Sequence, residues 1–450
     1  MISSVMFFFK DVFRFLLFFS VTLCFKETYT IGVATFGIIS SIYFYKLYRK
    51  QITENEFFET YFFLLIYASV FSGSIHKIIL IILLLFLLKI RIQKKEVHKK
   101  VSVYKEQLFI VLFGILLVNH ALFPPYFNGL DIYIYFLLIP ILFLGIKKFN
   151  FKISFLKAIK VFITSVFIAS IILIFLNLVT GKLITTTHTY FPESIELTHV
   201  YFGIFLGLSN CLLLVIYSQK QRFINVPLDS FLFVFNCFLV TYIGARMTLL
   251  SILFVLLIFI FNKVPYKLIF KVSFISVAFV GLLFFGSKIP RIAQGINEIE
   301  TLYTSVETND KENIVMNSWK NMYMRYLVTS YTLEEIKDNW LLGIGMQNVE
   351  KQISNKIIAD GYKYFIGINP HNQYLHFFVG LGIFGFLYFL YLIIYLLRSH
   401  TMSIYVLLFF LSVILTESIL VRGKGILVFT FFTLLLLNKK QIADEDYTHS

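Results

Sequence analysis

Cysteine and charged residues are scarce in this chain, and each scarcity excludes a class of protein. Only three cysteines occur in 450 residues, and Cys24, Cys211 and Cys237 all lie inside apolar segments. Cysteines in such segments behave as small hydrophobic residues, so they provide neither a disulfide framework nor the ligand spacing of a metal site. Charged residues make up 14% of the chain and hydrophobic residues 58%, which excludes an ordinary soluble domain.

Long apolar runs dominate the chain instead. They recur at lengths of about 15–25 residues, and a helix of about 20 apolar residues crosses the hydrocarbon core of a bilayer. The sequence therefore predicts an all-α, polytopic integral membrane protein with about 12–14 transmembrane helices and one long extracytoplasmic loop containing a partly helical cap. The fourteen candidate spans are 11–25, 30–48, 58–72, 76–92, 106–123, 131–146, 155–179, 199–218, 228–244, 247–262, 268–286, 371–397, 402–418 and 425–438. Twelve spans result if the third and fourth segments do not cross.

Basic residues between the spans predict the orientation. They cluster around residues 46–50, 91–105, 147–152, 220–222, 263–267 and 398. All of these fall on one side of the predicted bundle, which is therefore cytoplasmic, with both termini. The long segment 288–370 has nine basic and ten acidic residues, so the charge of +15 resides elsewhere and this loop is predicted to be extracytoplasmic. Because the basic residues punctuate spans and form no stripe, a nucleic-acid partner is not expected.

The predicted topology divides the chain into five parts. They are the N-terminal spans 1–198, the spans 199–287, the external loop 288–370, the C-terminal spans 371–438 and a cytoplasmic tail 439–450. The first apolar run lacks a small-residue cleavage site and is predicted to be a retained span.

Arg246 is predicted to lie at the outer tip of a hairpin. The apolar run 231–261 is flanked by basic residues on both ends, so it must cross the membrane twice, and only Gly244 to Arg246 can form the turn. An arginine at that depth is costly. It is either a snorkelling structural residue or an anion ligand.

Two outer loops and the long loop offer further polar groups. Segment 118–131 is predicted to be an ordinary interfacial loop. Loop 180–202 has two histidines and two glutamates, His188, Glu193, Glu196 and His199, but their spacing matches no metal motif. In the long loop, an apolar face at helical spacing predicts a helix near 315–338 that lies on the membrane surface or caps the bundle. That face comprises Trp319, Met322, Tyr323, Tyr326, Leu333 and Ile336, with Arg325 on its flank.

The strongest functional candidate follows the long loop. Pro370 suits the first turn of a helix and Asn369 can cap it, so His371 is predicted at the mouth of the next span. A helix N-terminus favours anions and keeps a nearby imidazole neutral, which is the form that can accept a proton.

Later in the chain, Gly380, Gly382 and Gly385 allow close helix packing. Glu417, Arg422 and Lys424 flank the last external turn, where they either join an anion site or pair with one another.

In this order and topology, these features resemble the O-antigen ligase and O-antigen polymerase superfamily of bacterial membrane glycosyltransferases. The resemblance covers about residues 199–437 and rests on the Arg246 hairpin, Arg325 ahead of Leu341-Leu342-Gly343-Ile344-Gly345, Pro370-His371-Asn372-Gln373 leading to Gly385, and the late pair Glu417 and Arg422. Asn369 departs from the pattern, because many members carry another residue there, often histidine.

The resemblance implies transfer of a glycan from undecaprenyl pyrophosphate to an acceptor hydroxyl, on the periplasmic face of the inner membrane. Ligases use a lipid A-core acceptor and polymerases use a second lipid-linked repeat, so both remain open. The implied reaction is inverting and needs no metal or cofactor. His371 is the expected base, and Arg246, Arg325 and Arg422 are the expected diphosphate ligands. His199, Asn372, Gln373 and Glu417 are possible supporting residues. The alternative from another class is a non-enzymatic carrier of lipid-linked sugars, which would concentrate polar residues at mid-membrane.

Overall fold

The fold is described from a computed structural model of the 450-residue chain. The structure describes residues 12–24, 28–71, 74–93, 102–181, 191–195, 197–263, 322–361, 368–399 and 404–439. Within these ranges the chain is built from helices, with no β-strand.

Sixteen α-helices make up the described part of the chain. They are α1 Val12–Thr22, α2 Tyr29–Tyr48, α3 Glu54–Ala68, α4 Ile75–Gln93, α5 Tyr104–Leu122, α6 Leu130–Tyr133, α7 Tyr135–Phe149, α8 Phe155–Val179, α9 His199–Ser218, α10 Val226–Tyr242, α11 Arg246–Lys263, α12 Met322–Asn339, α13 Val349–Ala359, α14 Gln373–Arg398, α15 Ile404–Ile414 and α16 Gly423–Leu437.

The helices confirm an all-α, multi-pass membrane protein. Seven stretches within the described residues are long and apolar enough to cross a bilayer. These are Tyr29–Tyr48, Tyr104–Leu122, Leu130–Phe149, Phe155–Val179, His199–Ser218, Arg246–Lys263 and Gln373–Arg398. Four shorter apolar helices accompany them, namely α1, α10, α15 and α16. Each predicted span coincides with a helix except 268–286, which lies outside the described residues. The total of twelve to fourteen crossings stays a prediction.

One end of the bundle is marked by a buried ion pair. Lys147, near the end of α7, lies 2.7 Å from Glu106 at the start of α5, and both side chains are almost fully buried. Asn438, which follows α16, donates to the same Glu106 oxygen at 2.9 Å. The two contacts bring together three helix ends at the end of the bundle where the sequence has its basic residues.

At the opposite end of the bundle, the starts of α9 and α16 lie close to the turn between α10 and α11. Tyr201, in the first turn of α9, donates its hydroxyl to the Ile419 carbonyl, just ahead of α16, at 3.5 Å. Gly203 approaches Ala245 so closely that an added Cβ would lie 2.6 Å from the Ala245 Cβ. The turn between α10 and α11 therefore lies at the same end as the start of α16. The turn joins Tyr242 to Arg246, where the sequence predicts the hairpin, and its position on the external side stays a prediction.

Helix α14 is broken at Gly382, where φ is +67°. The backbone groups released by the break bond to the loop that follows α12. Ile383 donates to the Trp340 carbonyl at 2.8 Å, and Ile344 and Gly345 donate to the carbonyls of Val379 and Gly380 at 2.9 and 3.1 Å. In a membrane helix every released backbone group needs such a partner. The predicted close packing at these glycines is thus a contact between a loop and an unwound helix, rather than one between two helices.

Helices α12 and α13 form a small second core on this end of the bundle. Its buried members are Leu327, Val328, Ile336, Ile344, Val349, Ile353, Ile357 and Val379. Of the apolar face predicted for α12, Ile336 is buried here, but Tyr326 and Leu333 are exposed. The side chains of the other three members lie outside the described part. The face of α12 that packs is rotated relative to the predicted face, because it includes the buried polar residues Thr332 and Glu335. Glu335 is paired with Lys356 at 2.9 Å.

Candidate active site

His371 is placed by two asparagine side chains, one on each side of it in sequence. Asn369 accepts a hydrogen bond from the His371 backbone N–H at 2.9 Å. Asn372 caps α14 by accepting from the N–H groups of Tyr374 and Leu375, at 2.9 and 3.1 Å. The cap is therefore Asn372, and the predicted cap at Asn369 is wrong because Asn369 closes a local turn instead. Pro370 also lies ahead of the helix.

The backbone of His371 is itself unusual. Its φ is +49°, in the left-handed region that non-glycine residues rarely adopt. Such a conformation persists only where the surroundings impose it, and it is common at functional sites. Here it turns the chain abruptly between the loop and α14.

The His371 imidazole is the first member of a three-residue chain of contacts. Its Nδ1 lies 3.1 Å from one carboxylate oxygen of Glu417. The other Glu417 oxygen accepts from an Arg325 terminal nitrogen at 2.7 Å. The second Arg325 terminal nitrogen donates to the Thr416 carbonyl at 3.0 Å. The structure therefore brings together three of the residues singled out in the sequence.

Glu417 is shielded from solvent, with only 14% of its side chain exposed. Burial would by itself raise the pKa of this carboxyl, but the hydrogen bond to His371 and the charge of Arg325 outweigh it and hold the pKa below its usual value. Glu417 is thus a carboxylate at neutral pH. A carboxylate on Nδ1 fixes the imidazole orientation and leaves Nε2 as the nitrogen that can accept a proton.

A second ion pair stands beside the first. Arg422, which precedes α16, has a terminal nitrogen 3.6 Å from Glu350 in the first turn of α13. Burial raises the pKa of the Glu350 carboxyl, and the neighbouring charges of Arg422 and His371 only partly counter this. Glu350 therefore lies within electrostatic reach of His371. The pattern analysis missed it, since an isolated glutamate on an amphipathic helix has no distinguishing signal.

Three buried polar residues adjoin these ion pairs in the chain: Gln373 and His376 at the start of α14, and Ser418 next to Glu417. Gln373 accepts from the Leu420 N–H at 2.7 Å, while its amide nitrogen has no hydrogen-bond partner among the described residues. The same holds for Nδ1 of His376, one turn further along α14, and for the hydroxyl of Ser418. Unsatisfied buried polar atoms are rare and usually meet water or a ligand. His376 was not singled out in the sequence, where it reads as one more residue of a span.

Arg246 and His199 occupy helix starts at the same end of the bundle. Arg246 is the first residue of α11 and is partly buried. His199 is the first residue of α9, behind the N-cap Thr198, and is also partly buried. The contacts at Gly203 and Tyr201 place both helix starts near the turn that leads to Arg422. Their roles stay predictions.

Of the two arrangements expected of the late charges, the structure contradicts pairing with one another, and their part in an anion site stays a prediction. Glu417, Arg422 and Lys424 do not pair with one another, because Glu417 and Arg422 take partners from the long loop. Lys424 donates to the Phe71 carbonyl at 2.7 Å. The two ion pairs, Arg325–Glu417 and Arg422–Glu350, carry no net charge between them.

Segment 118–131, predicted to be an ordinary interfacial loop, also makes structural contacts in this region. Asn119 accepts from the Met346 N–H at 2.9 Å and donates to the Gly380 carbonyl at 3.0 Å. It thereby joins α5 to α14 just ahead of its break and to the loop that bonds to the break. Of the second loop, His188 and Glu196 lie outside the described residues. Among the residues that are described, no group of three or more histidine, cysteine or acidic side chains is arranged to hold a metal ion.

Comparison with known protein families identifies a part of the chain that contains the candidate site. A family model described as O-antigen ligase matches residues 230–390. That stretch contains Arg246, Arg325, Glu350 and His371, whereas Glu417 and Arg422 lie beyond its end. No curated protein matches the chain.

Proposed function

We propose a function that proceeds from one premise: residues 230–390 of this chain match a family model described as O-antigen ligase. The protein is then a glycosyltransferase of the O-antigen ligase type. It moves an oligosaccharide or polysaccharide from undecaprenyl pyrophosphate to a hydroxyl of lipid A-core on the periplasmic face of the bacterial inner membrane. The observation that carries the proposal is the chain of contacts from Arg325 through Glu417 to His371.

His371 acts as the base in this mechanism. The acceptor hydroxyl attacks the anomeric carbon of the donor while Nε2 of His371 takes its proton. The bond from that carbon to the diphosphate oxygen breaks, and undecaprenyl pyrophosphate leaves with the electron pair. Attack from the side opposite the leaving group inverts the anomeric centre. Glu417 holds the imidazole and stabilises the positive charge that proton uptake creates.

Guanidinium groups supply the positive charge that the departing diphosphate requires. Arginine suits this role because its planar fork bonds two phosphate oxygens at once. Arg246, Arg325 and Arg422 are the proposed ligands, and the mechanism assigns no step to a metal ion. Since Arg325 and Arg422 are each paired with a carboxylate in the structure, diphosphate binding would loosen one or both of these ion pairs.

Transfer by the purified protein, assayed with lipid-linked glycan and lipid A-core, tests the proposal. Replacing His371 with Ala should lower the rate by about 10²–10⁴-fold, the usual contribution of a general base. Full activity of that variant, with normal insertion, would remove His371 from the mechanism. For Arg246, undiminished transfer in both the Arg246→Lys and Arg246→Ala variants would argue against diphosphate binding.

The acceptor separates the ligase from the repeat-unit polymerase, which is the alternative within the same superfamily. In a deletion strain, a ligase leaves lipid-linked polymer accumulating and lipid A without polymer. Loss of a polymerase leaves a single capped repeat. The alternative of a non-enzymatic carrier predicts that purified protein moves lipid-linked donor across vesicles without joining it to any acceptor.

A further inference from the structure

A groove of mixed polar and apolar character opens beside α13. It has a volume of about 450 Å³ and is lined by Phe123, Pro124, Asn339, Gly343, Ile344, Asn348, Lys351, Gln352 and Asn355. That volume falls in the usual range of small-ligand sites, about 300–1,000 Å³. Four of these nine residues carry amide side chains, and Phe123, Pro124 and Ile344 contribute apolar surface.

The walls of the groove are held by hydrogen bonds that do not involve its open face. Asn348 donates to the Pro124 and Ile344 carbonyls, both at 2.9 Å. The neighbouring Gln347 donates to the Phe123 carbonyl at 2.5 Å. These bonds tie the loop after α5 to the start of α13, so the groove is preformed rather than assembled by a ligand.

The amides of the groove retain free hydrogen-bonding groups. Asn339 and Asn348 use their amide nitrogens within the protein, and their side-chain oxygens have no partner among the described residues. Gln352 and Asn355 lie at i and i+3 on α13 and make no hydrogen bond within the described part of the chain. Each amide offers both donors and acceptors, which matches the adjacent hydroxyls of a sugar ring.

We infer that this groove is a subsite for sugar residues of a glycan chain, set beside the proposed centre of transfer. Lys351 lines the groove, whereas the preceding residue Glu350 pairs with Arg422 at the candidate active site. Consecutive side chains diverge by about 100° around an α-helix, so a glycan held at the reacting centre would reach the groove by passing around α13. A lone lysine suits sugars better than a run of phosphates, and amides together with Phe123 can contact both the hydroxyls and the apolar face of a sugar ring. The inference rests on the proposed function for the identity of the glycan as a substrate.

Binding of glycans without transfer is the direct test. The full-length protein in lipid nanodiscs would be applied to an array of soluble oligosaccharides of hexoses, N-acetylhexosamines and uronic acids. The His371→Ala variant should bind as the wild type does. The Gln352→Ala/Asn355→Ala double variant should lose affinity at least tenfold, and the single Asn355→Ala variant, at an exposed position, should lose several-fold. Lys337→Ala, on the exposed end of α12 outside the groove, is the matched control and should bind normally.

Two outcomes overturn the inference: no glycan on the array binds the wild type, or the groove variants bind as tightly as the Lys337→Ala control. If the protein binds glycans through the groove but transfers none, the proposed function is contradicted and the glycan subsite is not. In the transfer assay, a groove for the donor glycan raises the KM for donor in the double variant, and a groove for the acceptor raises the KM for acceptor. In both cases kcat should stay near the wild-type value.

Discussion

Glu417 uses its two carboxylate oxygens on two different neighbours, an imidazole on one side and a guanidinium on the other. The arrangement orients His371 and at the same time fixes the position of Arg325. Because the carboxylate is mostly buried, water screens these contacts poorly. A single side chain therefore couples the proposed base to one of the proposed diphosphate ligands.

The Glu417→Gln variant separates charge from shape. The amide can still occupy the site, but it cannot stabilise a positively charged imidazole, and it can turn its NH₂ group toward Arg325. We expect kcat for transfer to fall by about 10²-fold or more, with little change in the KM for either substrate. The pH profile of kcat should also change, which a purely structural role would not produce. Glu334→Gln on the exposed side of α12 is the control, and equal rates in the two variants would contradict the assignment.

Acid should abolish the contribution of this network to stability. The folded-state pKa of Glu417 is below its usual value of 4.5, so the unfolded chain binds its proton first as pH falls. The stabilisation is then fully present above pH 4.5 and is lost as pH drops through the lower, folded-state pKa. In thermal unfolding, the wild type should exceed Glu417→Gln in Tm near neutral pH, and the difference should shrink in acid. A difference that grows in acid would show that the carboxylate does not stabilise the fold through its charge.

Single residues were predictable from the sequence, but their pairing was not. His371, Arg325, Glu417 and Arg422 each stand out as polar groups at the edge of an apolar span. Glu417 is 46 positions from His371 and 92 from Arg325, and no local pattern specifies contacts over such separations. The cap was misplaced by three residues, because Asn369 and Asn372 are equally good capping residues and only the backbone turn at His371 distinguishes them.

Helix α14 illustrates what decides the shape of an element. Its apolar residues run through the break with little interruption, so hydrophobic periodicity predicts one continuous span. The break arises from tertiary contacts, in which the loop after α12 supplies donors and acceptors to the unwound turn. At Gly382 only glycine fits, since φ is +67° and an added Cβ would lie 2.4 Å from the Leu341 carbonyl oxygen.

Gly382→Ala should therefore damage both stability and transfer. Backbone strain alone costs of order 1–3 kcal/mol, and the contact with a backbone carbonyl cannot be relieved by a side-chain rotation. We expect a clear drop in Tm and loss of activity, measured in nanodiscs. Gly37→Ala in α2 is the control, because an added Cβ there meets nothing within 4 Å. A Gly382→Ala variant as stable as Gly37→Ala would mean that the loop does not hold the break.

For the whole molecule, hydropathy and charge predicted the class of fold correctly. The helices of the bundle follow the apolar runs closely, and the Arg246 hairpin was derived from the charges that flank a run too long for one span. The packing of α12 and α13 was beyond this reasoning. Their shared core includes polar positions such as Thr332 and Glu335, which a search for apolar faces discards.

Cysteine labelling tests the orientation of the bundle. In a variant without Cys24, Cys211 and Cys237, cysteine would be introduced by Asn128→Cys at the site end or Lys220→Cys at the basic end, both at exposed positions. A membrane-impermeant maleimide added to intact spheroplasts should label the first variant and spare the second. Labelling of both after lysis is the control for accessibility. The reverse pattern would put the candidate active site in the cytoplasm and remove the proposed function.

The break in α14 also bears on how the protein meets bilayers of different thickness. An unbroken helix adapts to a thinner or thicker membrane by tilting as a unit, which carries its outer end with it. Here Ile344 and Gly345 bond to the outer segment that follows His371, and Ile383, the first residue past the break, bonds to Trp340. The helix beyond Ile383 can therefore tilt about this fixed point while the outer part keeps its place. Reconstituted into lipids of increasing acyl-chain length, the protein should hold its turnover nearly constant, and the imidazole should stay at a fixed depth relative to its neighbours.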